Sequence, residues 1–271
     1  SPLIEWQFPN AWLARGCQSF TKQYQWDDPE AADYISVTVP GRECDFDLSV
    51  ETREFDSGEP VSRHGRRISS TLTQGTVPAG SPVVLEWLNT TPSWIAEGER
   101  VYVALDGEAI TPLPEIITLP GEAVALRVIA PSAVAPGQPF AVRIVSLDRW
   151  DNCSCTRYRG EPLRGPDDQP FTSPLDFYGS CAVEVSLPDE GIYRLRYGEA
   201  LSNPIRVAPD PQGPYWGDIH IHTCYSADGR GRQFYEYARD VSGLDFAAAA
   251  DHARTAILSW DKLKRLAEQF D

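Results

Sequence analysis

The sequence predicts a mostly β protein built from two β-sandwich units of immunoglobulin-like type, followed by a short α/β segment. Short stretches in which apolar and polar residues alternate recur along the first two hundred residues, as in half-buried strands. The 23 prolines and 20 glycines lie at short intervals, mostly before residue 215, which indicates many turns between these strands. A proline-rich boundary at 208–214 then precedes a change in composition.

The first predicted unit covers residues 1–118, an N-terminal β-sandwich domain. Apolar and polar residues alternate in 35–39 and 46–50, and apolar segments of strand length follow at 83–88 and 101–105. No stretch of this region keeps an apolar period of 3.6 residues over three turns. Many short strands at such spacing favour an all-β sandwich.

The second predicted unit covers residues 119–208, an immunoglobulin-like β-sandwich domain. Alternation is clear at 124–128, 140–144 and 183–187, and a further strand is predicted at 191–197. The segment 160–180 is rich in proline, aspartate and glycine, so we expect a long exposed loop there.

The third predicted region, residues 209–271, has a different pattern. A strand at 216–222 is followed by a helix at 233–241, an apolar strand at 244–250 and a helix capped by Ser259. The order strand–helix–strand–helix is typical of the opening of an α/β domain with a parallel sheet.

The formal net charge of −15 disfavours nucleic acid as a partner, because the mean field repels a phosphate backbone. The one basic stretch, 63–67, is brief and lies among turn residues, so we expect it to form a solvated loop. No apolar run approaches the roughly 18 residues of a membrane span. The chain has no methionine, so we expect Ser1 not to be the translation start and the chain to be processed or a fragment.

The six cysteines do not decide whether the protein is exported. Cys17 with Cys44, or Cys181 with Cys153 or Cys155, could form disulfides in an exported protein, and free buried thiols fit the sequence equally well. Glycosylation acceptor patterns begin at 89 and 152, as they do in many unmodified loops.

Three of the four histidines lie in the third region. His220 and His222 end its first predicted strand, where a spacing of two puts both imidazoles on one face. Asp251 and His252 end its second predicted strand. If these strands are neighbours in a parallel sheet, the four side chains meet at the rim where catalytic residues of such folds lie. Imidazoles beside carboxylates suit a divalent transition metal.

Each of these residues also has a simpler interpretation. The two histidines of the first strand could lie on an ordinary surface strand, and Asp251 could cap a helix beside a core histidine. Asp218 could hydrogen-bond the backbone or orient a ligand imidazole. Asp228 precedes a glycine and is first of all a turn signal. Cys224 is better explained as a small buried side chain than as a zinc thiolate.

Two motifs carry a resemblance to a known superfamily. The run Gly-Asp-Ile-His-Ile-His-Thr-Cys-Tyr-Ser-Ala-Asp-Gly at 217–229 resembles the first motif of the PHP (polymerase and histidinol phosphatase) superfamily. The run 244–252, which ends in Ala-Asp-His, resembles its second motif. The β-rich residues before them are similar, more loosely, to PHP-like proteins in which β-sandwich segments precede the barrel.

The resemblance implies a PHP-type (β/α)₇ barrel that holds two or three Zn, Mn or Fe ions and hydrolyses a small-molecule phosphoester. His220 and His222 would then bind one metal and His252 a second, with Asp228 as co-ligand and Asp251 as ligand or partner of one. Such a barrel needs about 250 residues, far more than 215–271 supply. We therefore expect the chain to be incomplete as an enzyme, with the remaining barrel missing or supplied by another chain through self-association.

A second hypothesis comes from a different functional class. The chain would be a non-catalytic surface, structural or binding protein built from its β-sandwiches, with a vestigial metal site. The sequence leaves the substrate, the metal and the oligomeric state open.

Overall fold

The computed structural model of the protein describes residues 2–8, 24–54, 64–90, 94–223, 234–251 and 260–270. Most regular structure in these ranges is β-strand, arranged in several small and mainly antiparallel sheets. The predicted mostly β class is therefore confirmed. No helix in the described ranges is both long and apolar enough to cross a bilayer.

The first unit contains nine strands among its described residues. They are β1 (Leu3–Gln7), β2 (Tyr34–Thr38), β3 (Asp45–Glu54), β4 (His64–Gln74), β5 (Val84–Leu88), β6 (Gly98–Arg100), β7 (Tyr102–Leu105), β8 (Glu108–Ala109) and β9 (Glu115–Ile117). Five of them form an antiparallel sheet in the order β3-β4-β1-β7-β8, and β2–β5 and β6–β9 form separate antiparallel pairs.

One apolar core joins these sheets. Trp6 on β1 and Ile68 on β4 pack in the same cluster as Ile35 on β2 and the partly buried Trp87 on β5. Side chains of the five-stranded sheet thus face those of the β2–β5 pair. This is the arrangement of a β-sandwich, in which the inner faces of two sheets bury their alternate apolar residues.

The second unit contains ten short strands. They are β10 (Ala125–Ile129), β11 (Ala133–Val134), β12 (Phe140–Leu147), β13 (Arg157–Arg159), β14 (Asp176–Tyr178), β15 (Ser180–Val185), β16 (Gly191–Tyr193), β17 (Arg196–Tyr197), β18 (Ala200–Leu201) and β19 (Ile205–Val207). Two three-stranded sheets, β10-β12-β15 and β11-β19-β16, lie at its centre, and β13–β14 and β17–β18 form additional pairs.

The two central sheets share a core. Val142 and Ile144 on β12 are completely buried with Ile205 and Val207 on β19, which belongs to the other sheet. The first and second units therefore bury separate apolar clusters. The exact domain boundaries after residues 118 and 208 stay a prediction.

The third region contains β20 (Gly217–Ile221), helix α1 (Phe234–Glu236), a π-helix (Tyr237–Val241), β21 (Phe246–Ala249) and helix α2 (Trp260–Glu268). The predicted order of elements is found, although the first helix continues as a π-helix. Val241 packs on Val145 and Leu147, which point away from the core of the second unit. Strand β12 is consequently buried on both faces near its end.

The structure corrects three predictions. Segment 160–180 is not simply an exposed loop, because β13 and β14 pair across it and Leu163 is completely buried. The predicted strand at 191–197 is divided into β16 and β17, which belong to different sheets. Residues 64–67 lie on β4 rather than in a loop, and the buried Arg67 forms a 2.7 Å ion pair with Glu5. Each correction depends on partners distant in the chain, which local composition does not reveal.

Candidate metal centre

The candidate site lies at the carboxyl ends of two parallel strands. Strands β20 and β21 pair in parallel, with Gly217 opposite Phe246 and Ile221 opposite Ala249. The predicted adjacency of these strands is confirmed. Residues that follow both strands therefore lie at the same edge of the sheet, the usual position of functional side chains in parallel sheets.

The two histidines of β20 converge at this edge. Nε2 of His220 lies 3.1 Å from Nε2 of His222, and the ring centroids are 5.0 Å apart. Two nitrogen ligands at about 2.0–2.1 Å from a tetrahedral zinc ion are about 3.3 Å from each other. The observed spacing therefore fits two ligands of one metal ion.

A β-bulge shapes the backbone that carries these imidazoles. The register of β20 against β21 shifts between Asp218 and Ile221, and Oδ1 of Asp218 accepts the backbone N–H of His220 at 2.9 Å. Of the two roles considered for Asp218, the structure therefore shows the hydrogen bond to the backbone. Bulges of this kind redirect side chains beside functional sites.

Asp251 holds the two strand ends together. Its carboxylate accepts the backbone N–H of Thr223 at 2.7 Å and the hydroxyl of Thr223 at 2.9 Å. Thr223 is completely buried and directly follows His222. These contacts position the end of β20, so they suit the role of a partner that orients the ligands. The sequence reasoning identified Asp251 but missed Thr223, whose only signal was its place one residue after the histidine pair.

Three further residues considered as ligands are not among those that the structure describes. Asp228, His252 and Cys224 lie outside the described residues. Within the described ranges, no group of three or more histidine, cysteine, aspartate or glutamate side chains is placed to hold a metal ion. The assignments of His220, His222, Asp228, Asp251 and His252 to a metal centre therefore stay predictions.

A reciprocal contact fixes the start of the same sheet. The backbone N–H of Trp216 donates to Oδ2 of Asp245, and the backbone N–H of Asp245 donates to the carbonyl of Trp216, both at 2.7 Å. The indole N–H of Trp216 also donates to Ser132 in the second unit at 3.0 Å. Sequence reasoning missed both contacts, although an aspartate just before an apolar strand was a signal for Asp245.

The third region is attached to the second unit by its helical turn. The hydroxyl of Tyr237 donates to the carbonyl of Asp151 at 2.9 Å, and burial raises the pKa of Tyr237. Gly243 has a φ of +66°, and a Cβ atom there would lie 2.5 Å from Ile129. Only glycine combines this backbone conformation with so close an approach.

The turn 148–152 links the first and second units. The buried carboxylate of Asp148 accepts backbone N–H groups of Gly121, Trp150 and Asn152, and also the side-chain amide of Asn152. Burial alone raises the pKa of Asp148, but these hydrogen bonds outweigh it and hold the pKa below its ordinary value. The amide of Asn152 in turn bonds the carbonyl of Trp94 at 2.7 Å.

The side-chain amides of both candidate glycosylation sites, Asn89 and Asn152, already form hydrogen bonds within the protein. Asn152 is 9% exposed, and its amide nitrogen donates to both Asp148 and Trp94. A glycan on this nitrogen is incompatible with the folded arrangement. Asn89 is exposed, but its amide nitrogen donates to the carbonyls of Pro29 and Ala31.

The cysteines with described positions are free thiols, namely Cys44, Cys153, Cys155 and Cys181. The alternative of a disulfide between Cys181 and Cys153 or Cys155 is therefore not realised in this fold. Burial raises the pKa of Cys181 to about 11. Such a thiol is a poor nucleophile near neutral pH, because the thiolate is the reactive form. Cys17 lies outside the described residues.

Comparison with known proteins adds little to this geometry. No family model matches the chain, and no curated protein matches it. Among solved structures, the chain is similar to the adhesin InvE of Yersinia pseudotuberculosis, with 15% sequence identity and a TM-score of 0.23. The match covers 67% of this chain and 50% of the InvE chain, so the chain spans about half of that protein. A TM-score this low supports no statement about fold or function.

Proposed function

We propose that residues 209–271 contribute to the metal centre of a PHP-like, metal-dependent hydrolase that acts on phosphoesters. The observation that carries the proposal is the 3.1 Å convergence of Nε2 of His220 and Nε2 of His222 where β20 ends beside β21. The superfamily resemblance of the two motifs supports the reaction class. The proposal includes Asp228 and His252 as further ligands of Zn, Mn or Fe ions.

In this proposal, some residues would bind the metal ion directly and others would hold those ligands in place. His220 and His222 would chelate one ion through their Nε2 atoms. Asp251 would keep the second of these histidines in place through its two hydrogen bonds to Thr223, in the way that outer carboxylates orient metal ligands. A bound ion of this type supplies a water of lowered pKa and polarises a phosphoryl oxygen.

The first experiment measures metal binding directly. We expect the purified chain to bind Zn²⁺ in a calorimetric titration, and His220→Ala to weaken that binding by at least about tenfold. His64→Ala is the matched control, because His64 lies on β4 in the first unit and should leave the titration unchanged. Equal zinc affinity in the wild type and in His220→Ala would contradict the proposed site.

The second experiment tests the reaction class. If self-association completes the barrel, turnover of an aryl phosphate should depend on added Zn²⁺ or Mn²⁺ and should disappear in His220→Ala. Asp251→Asn should reduce turnover about 10- to 100-fold, as loss of an outer-shell partner does in other metal sites. Activity that persists in His220→Ala would not come from this site.

A specific observation favours the second candidate, a non-catalytic binding or structural protein. Strands of a parallel sheet are normally covered on both faces, whereas four of the five residues of β20 are exposed, and Ile219 is 72% exposed. In that case the purified chain would contain no bound metal and show no turnover that depends on His220. The zinc titration therefore separates the two candidates.

A further inference from the structure

The five-stranded sheet of the first unit has one long open edge. Strand β3 (Asp45–Glu54) is the outermost strand on one side, and among the described residues it pairs only with β4. Its register against β4 runs without a shift from Phe46 to Glu54. The strand at the opposite edge, β8, has only two residues. Because an edge strand presents unpaired N–H and C=O groups, β3 is the edge of this sheet that can accept another strand.

The apolar face of β3 is incompletely covered. Phe46, Leu48 and Val50 pack against the core of the first unit but are only partly buried. On the neighbouring strand β4, Ile68 is completely buried and Leu72 is 9% exposed. The core of the first unit therefore ends in an open rim along β3. A further strand beside β3 would place its own inward side chains against this rim and extend the core.

The other face of β3 carries unpaired negative charge at its start. Asp45 and Asp47 are exposed, and neither carboxylate forms an ion pair with another described residue. The residues of β4 that lie opposite them, Gln74 and Thr71, are uncharged. The first basic residue of β4 counted back from Gln74 is Arg67, whose guanidinium pairs with the carboxylate of residue 5 on β1. The two aspartates therefore remain available to a partner.

These charges determine which kind of strand is favoured at the edge. In residues 1–118, aspartate and glutamate outnumber lysine and arginine by more than two to one, so the field around the edge is negative as well. Antiparallel pairing with β3 of a second copy would bring Asp45, Asp47 and Glu51 of both chains onto one side of the joined sheet, and like charges on neighbouring strands are destabilising. Basic residues of an incoming strand would instead meet opposite charges.

We propose that β3 binds an extended segment of a partner protein in which basic and apolar residues alternate. The backbone of this segment would hydrogen-bond the open edge, and its apolar side chains would cover the rim formed by Phe46, Leu48 and Val50. Its lysine or arginine side chains would lie beside Asp45 and Asp47. In strand addition of this kind, the main chain gives affinity and the alternate side chains give specificity. The interaction goes beyond the proposed hydrolase and needs no metal ion, so a failure of the zinc titration would leave it intact.

Three peptides test this proposal by fluorescence anisotropy with the full chain. The first, acetyl-Lys-Val-Lys-Val-Lys-Val-Lys-amide, has the proposed alternation. The second replaces each lysine by glutamate, and the third has the composition of the first in the order Lys-Lys-Lys-Val-Val-Val-Lys. We expect the alternating lysine peptide to bind at least about tenfold more tightly than either of the others. The absence of saturable binding of this peptide, or equal affinity for either of the other two, would overturn the proposal.

Charge reversal on β3 then tests the role of its aspartates. Asp47→Lys should weaken binding of the alternating lysine peptide by about three- to tenfold, and the double variant Asp45→Lys/Asp47→Lys should make the glutamate peptide the tighter ligand. Glu108→Lys is the matched control, because Glu108 is exposed on β8 at the opposite edge of the same sheet and should leave both affinities unchanged. An unchanged preference in the double variant, or an equal loss in Glu108→Lys, would overturn the proposal.

Hydrogen exchange locates the bound peptide on the fold. A saturating amount of the alternating lysine peptide should slow the exchange of β3 amides, because an added strand bonds the edge N–H groups, and should leave the amides of β15 in the second unit unchanged. Unchanged exchange of β3 would place the peptide elsewhere and overturn the proposal. Sedimentation of the chain without peptide tests the other occupant of the edge. A dimer that dissociates in Asp45→Lys/Asp47→Lys would show that a second copy pairs with β3, which would also overturn the proposal.

Discussion

Ile144 on β12 in the second unit is completely buried, whereas Ile219 on β20 in the third region is 72% exposed. Strand β12 lies between two antiparallel neighbours and has one face on the sandwich core and part of the other under Val241. Among the described residues, strand β20 pairs only with β21. The two isoleucines have the same intrinsic strand propensity but very different burial, because burial depends on which layers of the fold cover the strand.

The second unit and the β20–β21 pair are consequently stabilised by different kinds of interaction. The second unit buries a continuous apolar cluster, which supplies most of the free energy of folding in such domains. The β20–β21 pair is secured by polar contacts at its two ends, from Asp245 to Trp216 and from Asp251 to Thr223. A sheet of this kind can hold functional groups at an exposed edge.

The largest expected difference between the regions comes from matched isoleucine substitutions. Ile144→Ala removes buried methyl groups and should lower the free energy of unfolding by about 2–5 kcal/mol. Ile219→Ala should change it by less than about 0.5 kcal/mol, because the side chain is largely exposed. Urea unfolding followed by circular dichroism measures both. A cost above about 2 kcal/mol for Ile219→Ala would show that this residue is covered in solution.

A smaller effect is expected at the turn that links the first two units. Asp148→Asn keeps the shape of the side chain but replaces one acceptor oxygen by a donor facing N–H groups. We expect a loss of about 1–3 kcal/mol in the free energy of unfolding at neutral pH. Asp189→Asn, on an exposed turn of the same unit, is the control and should cost far less. Similar stability of the two variants would contradict the structural role of Asp148.

The effect of Asp148→Asn should also depend on pH. The folded pKa of Asp148 lies below its ordinary value of about 3.9, so the carboxylate stabilises the fold above that pH. This contribution is lost as the pH falls through the lower folded pKa. The stability difference between wild type and Asp148→Asn should therefore narrow as the pH is lowered from neutrality to about 3. A constant difference across this range would mean that the charge of Asp148 contributes nothing.

The smallest predicted effect concerns the end of β20. Thr223→Val preserves the side-chain shape and the backbone N–H bond but removes the hydroxyl bond to Asp251. We expect a loss of about 1 kcal/mol, which corresponds to roughly fivefold faster hydrogen exchange of β20 amides. Thr38→Val, on an exposed position of β2, is the matched control. Unchanged exchange in Thr223→Val would mean that the hydroxyl bond does not hold the strand end.

Local patterns in the sequence predicted about half of the strands, including β12 but not β4, and the order of elements in the third region. The alternation at 140–144 identified β12, and the two-residue spacing of His220 and His222 correctly predicted that their imidazoles share one side. The pattern could not reveal the bulge at Asp218, because a bulge depends on the register with the partner strand. It also could not reveal the contribution of Thr223, since threonine is common in strands and has no distinctive spacing.

Side-chain alternation and turn residues act over a few neighbouring positions, so the chain alone indicates where many of the strands and turns lie. Contacts between distant positions follow from packing. The burial of Leu163, the pairing of Arg67 with Glu5 and the hydrogen bond from Asn152 to Trp94 bring together residues separated by tens of positions. Such contacts depend on how whole sheets are layered, and a linear pattern contains no direct record of that layering.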